Sequence, residues 1–122
     1  MLGIPKSAVK ENALVKKIIK LLSYTQNCKL NCEKVINSWI ISSSNSDLLL
    51  EFQVTSKEVT FNTVNLNEKR KGTLTSIVNA ILKEKMSVAF ISVVTSEMYH
   101  FCCKNDFMLY DKSFGFGSYR KC

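Results

Sequence analysis

One proline, four glycines and a single histidine in 122 residues exclude several designs at the outset. So little glycine and proline, beside 46% apolar and 22% charged residues, fits a folded core and argues against extended disorder. His100 stands alone and no G-x-S-x-G elbow is present, so a Ser-His-Asp hydrolase lacks its parts. The five cysteines, Cys28, Cys32, Cys102, Cys103 and Cys122, contain no C-x2-C pair, so free thiols and no metal site are expected. No segment is apolar for long enough to serve as a signal peptide or membrane span, so a cytoplasmic protein without a membrane partner is expected. Nor is there a linker, an internal repeat or a low-complexity block. A chain of this length suits one domain.

What is present is positive charge. The net charge is +7 and the isoelectric point is near 9.2, which favours anionic partners: phosphates, nucleic acid or acidic proteins. Residues 7 to 24 read as a helix capped by Ser7. Leu14, Val15, Ile18, Ile19 and Leu22 fall on one face, and Lys10, Lys16, Lys17 and Lys20 on the other. From Val35 the pattern turns to strand. Val35 to Ile41 leads into the turn Ser42 to Asp47, then Leu48 to Val54 and Val59 to Val64 complete a three-strand meander.

The stretch from Val64 to Val78 carries the most information. A strand passes through Asn67-Glu68-Lys69-Arg70-Lys71-Gly72 into a helix whose apolar residues, Leu74, Ile77, Val78, Ile81 and Leu82, recur with a 3.6-residue period. Free N–H groups at a helix start carry partial positive charge, and Gly72 admits close backbone approach, so this turn suits a phosphate. A solvated basic loop is the plain alternative. Met86 to Val94 reads as a strand buried on both faces, which makes strand, helix and strand a parallel crossover. Thr95 or Ser96 then caps a short helix ending near Lys104, and Phe107 to Tyr110 reads as the last strand before a glycine-containing tail.

Over roughly residues 35 to 110 this order resembles the GCN5-related N-acetyltransferase (GNAT) family, which transfers an acyl group from acyl-coenzyme A to an amine. The family's V-x-P-x-x-[QR]-x-x-G-x-[GA] motif aligns with Val64, Leu66 in place of proline, Lys69 in place of Gln/Arg, Gly72, and Leu74 in place of the small residue. Its F-Y-E-K-x-G-F run aligns with Phe101 to Phe107, with Cys102 where the family has tyrosine. Thr95 and Met98 stand where asparagine and alanine are common.

The resemblance implies a mixed α/β fold with a central mixed sheet, an N-terminal helix, a β-meander and a βαβ unit. Residues 1–34 would form an N-terminal helical part, 35–110 the core sheet and helices, and 111–122 a tail. It implies acetyl-CoA, or another acyl-CoA, as co-substrate, held at Val64, Leu66, Lys69, Arg70, Lys71, Gly72, Thr73 and Leu74, with the pantetheine arm paired to Phe61 to Leu66 where neighbouring strands splay. For the chemistry, Tyr99 and Cys102 are candidate acids and Glu51 a candidate base, with surface or core roles as the alternatives. The acceptor is an amine, on an acidic protein, a nucleic acid or a small molecule, and a homodimer is compatible. A non-catalytic relative that binds a protein or nucleic acid is the alternative function.

Overall fold

The computed structural model describes residues 6–26, 28–66, 72–113 and 116–122. Three helices and seven strands follow in the order α1 (Lys6–Gln26), β1 (Leu30–Val35), β2 (Ser38–Ser43), β3 (Leu49–Val54), β4 (Glu58–Asn65), α2 (Thr73–Lys83), β5 (Ser87–Val93), α3 (Ser96–Lys104), β6 (Met108–Ser113) and β7 (Phe116–Lys121). The strands form one mixed sheet in the order β1-β2-β3-β4-β5-β7-β6. β1 to β4 are antiparallel, α2 carries the chain over to β5 beside and parallel to β4, and β7 inserts between β5 and β6. The N-terminal helix, meander and strand-helix-strand unit expected from the resemblance are all present.

One face of the sheet holds the core. The register aligns Ile41 with Leu50, Phe52 with Phe61, and Phe61 with Phe90, so their side chains project together. All five are buried, against Leu14, Ile18 and Leu22 of α1 and Ile77 and Ile81 of α2. Rings continue the contact, with centroids 5.4 Å apart for Phe52 and Phe61, 5.2 Å for Phe61 and Phe90, and 5.2 Å for Phe90 and Phe107. Lys10, Lys16, Lys17 and Lys20 of α1 are exposed, as expected of an amphipathic helix docked on its own core. Glu51, Gln53, Thr60 and Thr63 lie on the opposite, polar face.

Four details differ from expectation. The first helix starts at Lys6, which puts Ser7 inside it rather than at its cap. Residues 30–35, assigned to a helical part, form the edge strand β1, and Val35 to Ile41 is a hairpin rather than one strand. The two strands meet at Ile36, whose φ of 59° is left-handed. The expected tail contains β7, an internal strand, so Phe107 to Tyr110 does not end the sheet. Gly117 leaves room there for the Leu109 side chain of β6, whose Cδ1 lies 2.8 Å from where a Cβ would stand. Arg120 of β7 forms an ion pair with Glu58 of β4 and stacks over the Tyr110 ring at 4.1 Å, tying three strands together on the polar face. Finally, β5 is buried on both faces only from Val88 to Phe90, and Ile91 beyond it is 37% exposed.

That last difference has a cause in the sheet. Pairing between β4 and β5 runs from Glu58↔Ser87 to Phe61↔Phe90 and stops, while β4 continues along β3 as far as Leu49↔Asn65. Both strands are irregular where they part. Asn62 is an extra residue in β4, between Phe52↔Phe61 and Glu51↔Thr63. In β5, Ser92 adopts a φ of 51°, its N–H donates to Ser118 Oγ at 3.0 Å, and the register with β7 shifts. The strands therefore splay, and a gap opens between them.

Candidate functional site

A cleft of about 560 Å³ occupies the space beyond the splay. Val64, Asn65 and Leu66 line it from the end of β4, Gly72, Thr73, Leu74 and Thr75 from the start of α2, and Thr95, Glu97, Met98, His100 and Phe101 from α3. Where β4 has left β5, every second peptide group on its free edge faces the gap rather than a ladder partner.

The start of α2 is built to leave donors open. Its N-cap is Gly72, with φ 70° and ψ 13°, and among the described residues no side chain caps the helix. The first intrahelical bond is Ser76 N–H to the Gly72 carbonyl at 2.9 Å, so the N–H groups of Thr73, Leu74 and Thr75 precede the ladder. Glycine is favoured here by its left-handed conformation and not by crowding: among the described residues other than its chain neighbours, no atom lies within 4 Å of the position a Cβ would take. An anion at this point meets uncompensated N–H groups and the positive end of the helix dipole. α3 begins differently, since Thr95 Oγ1 accepts from Met98 N–H at 3.2 Å and caps it. Of the two helix starts on the cleft, only that of α2 has no side-chain cap.

Of the candidate coenzyme residues, Val64, Leu66, Gly72, Thr73 and Leu74 line the cleft together. Lys69, Arg70 and Lys71 lie outside the described residues. The three candidate catalytic residues do not join them. Cys102 has no exposed surface, and burial, with Cys103 adding to it, pushes its thiol up to about 12. Tyr99 is half exposed and packs edge-on to Tyr119 at 6.1 Å between centroids, and the nearby Cys103 thiol raises its pKa. Glu51 sits on β3 opposite Thr63, one strand from the gap and on the polar face. Among the described residues, no three His, Cys, Asp or Glu side chains gather as a metal site. No described helix is long and apolar enough to cross a membrane.

Sequence reasoning missed Glu97 and His100 as cleft residues. The signal was the helical period from the Thr95 cap: Glu97, Met98 and Phe101 fall at i, i+1 and i+4 and so share one side of α3, with His100 at its flank.

Topology and site together define a mixed α/β protein with a cleft at a strand splay, roofed by an uncapped helix start. No family model and no curated protein matches the chain. Solved structures similar to it include the following two. One is the PaiA N-acetyltransferase from Thermoplasma acidophilum in complex with coenzyme A, at 13% identity over 69% of this chain and 58% of that one, with a TM-score of 0.47. The other is the anti-CRISPR protein AcrVA5, at 13% identity over 76% of this chain and 98% of that one, with a TM-score of 0.46. Neither likeness carries a substrate or a residue role across to this chain.

Proposed function

We propose that the chain is an acyl-CoA-dependent N-acyltransferase that moves an acetyl or other acyl group directly to an amine. The observation that carries the reading is the cleft itself, in which the open edge of β4 and the uncapped start of α2 converge. The coenzyme's pyrophosphate would sit on the α2 N–H groups, with Lys69, Arg70 and Lys71 of the preceding segment supplying charge. Its pantetheine arm, which carries amide groups, would pair with the β4 edge beyond Phe61 as an added strand does. The thioester carbonyl would then meet backbone donors in the splay, the arrangement that stabilises developing oxyanions. Glu51, opposite Thr63 on the strand beside β4, is the carboxylate we assign to take the acceptor's proton. Expulsion of the thiolate needs a proton, and Glu97 and His100 are the titratable groups among the described cleft residues.

A second reading has its own observation. With Cys102 sealed in the core and Tyr99 off the cleft, the coenzyme could be bound without turnover, and the protein would act by binding a macromolecule. Calorimetry with acetyl-CoA, CoA and dephospho-CoA tests the coenzyme site, and saturation at 100 times Kd should add about 2.7 kcal/mol of stability. Absence of heat and of thermal stabilisation at millimolar coenzyme removes both readings. Binding without thioester consumption across a panel of amines selects the second.

A further inference from the structure

We propose that Gln26 and Thr25, at the end of α1, are positioning residues for the phosphate end of the cleft and act through Thr73. The proposal rests on the coenzyme reading of that cleft. Gln26 is 2% exposed and Thr73 3%, and polar groups at that depth require partners. The amide Nε2 of Gln26 donates to the hydroxyl oxygens of Thr25 and Thr73, each at 3.3 Å. Thr73 Oγ1 donates to Thr25 Oγ1 at 2.7 Å, and Thr25 Oγ1 donates to the Leu21 carbonyl at 3.0 Å. The protons run in one direction, and each hydroxyl has its single hydrogen committed.

Two consequences follow for the cleft. Thr73 is the first residue of α2 and lines the cleft, yet its hydroxyl hydrogen is used on α1. It is therefore not a phosphate donor, and the ligand is left to the backbone N–H groups of the first turn. Second, between this network and the Lys10 Nζ to Glu84 carbonyl bond at the far end of α2 (3.5 Å), the described α1 to α2 contact is apolar, with Leu14, Ile18 and Leu22 in one cluster with Ile77 and Ile81. Apolar side chains would join the helices at this end too, but without direction. Hydrogen bonds of defined geometry fix the rotation of the α2 first turn, and with it the aim of its N–H groups.

The test compares CoA with S-acetylpantetheine, which keeps the arm and lacks the phosphates, in the parent, Gln26→Leu, Thr25→Val and Thr73→Ser. Gln26→Leu should weaken CoA about tenfold by calorimetry while S-acetylpantetheine stays within about twofold. Thr73→Ser, which keeps the hydroxyl that Gln26 and Thr25 hold, should lose less CoA affinity than Gln26→Leu. If Gln26→Leu does not fold, Thr25→Val preserves side-chain shape, removes the Thr25 bonds while leaving Gln26 on Thr73, and should show a smaller loss of the same selectivity. Loss of both ligands in parallel, or of neither, overturns the positioning role. A parent that binds no CoA removes the coenzyme reading itself and this proposal with it.

Discussion

The two ends of the cleft differ in how firmly their chemistry is built. At the α2 end, glycine geometry, an uncapped first turn and a buried hydrogen-bonded network converge on one small region. At the α3 end, the residues expected to do acid chemistry point elsewhere: Cys102 into the core and Tyr99 toward Tyr119. Binding an anion needs aligned backbone donors, which a helix start supplies from local structure. Proton transfer needs one side chain at one distance from the reacting atom, which depends on how a short helix rolls. The difference teaches that this cleft has an anion-accepting helix start built from backbone, while the side chains expected to supply its acid lie outside it.

The largest expected effect is at the α3 end. If turnover is present and His100 supplies the proton, His100→Gln should lower kcat about 100-fold with coenzyme affinity nearly unchanged. Tyr99→Phe and Cys102→Ala should stay within about twofold of the parent in kcat, since neither lines the cleft. A loss in Tyr99→Phe that matches the His100 variant would reverse the contrast between the two ends. At the α2 end, Gly72→Val forces a β-branched residue to φ 70°. It should cost about 1–2 kcal/mol of stability and a comparable factor, roughly tenfold, in coenzyme affinity. Gly72→Asn, which tolerates the left-handed region, should recover most of both. Equal coenzyme affinity in the parent and the valine variant would remove the helix start from the phosphate site.

Cys102 provides a readout of the same contrast through pH. Its thiol is raised from 9.0 to about 12 in the folded protein by burial. Above pH 9 the unfolded chain loses this proton while the folded one keeps it. The stability contributed is therefore complete below about pH 9 and is lost as pH climbs toward 12, by at most about 1.4 kcal/mol per unit. The parent should lose more stability than Cys102→Ala between pH 8 and 10.5 in urea melts. Identical slopes would mean that the thiol is not sealed. In the native state a thiol reagent should label Cys32, Cys103 and Cys122, which are exposed, well before Cys102.

The parts of the fold that were legible in the sequence are those whose burial imposes a period. Ile77, Val78 and Ile81 announce α2, and the alternation around Phe61 announces β4. β1 was hidden because an edge strand with five of six residues exposed has no buried face to print a pattern. β7 was hidden because its one buried residue is Ser118, and Gly117 reads as a breaker although it lies within the strand. The cleft divides the same way. Val64, Gly72 and Thr73 follow from a local motif, whereas α3 carries nonpolar residues around much of its circumference. Its roll is decided by Phe101 and Phe107 packing on Phe90, at 5.9 and 5.2 Å, which sequence spacing cannot weigh.

The smallest expected effect serves as the control for all of these. Ile36 is 87% exposed at the β1 to β2 turn and holds a φ of 59°, a region that costs a β-branched side chain about 1–2 kcal/mol. Little burial is lost on its removal, so Ile36→Gly should stabilise the protein by about 0.5–1 kcal/mol after the entropy of glycine in the unfolded chain is set against the relief of strain. The turn joins strands two and three places from β4 in the sheet, away from every cleft residue. Its variant should therefore raise the urea midpoint and leave coenzyme affinity where it was. A coupled rise in affinity would show that the cleft is limited by global stability, and the losses expected at Gly72 and Gln26 would then need correction for unfolding before they could be assigned to the α2 first turn.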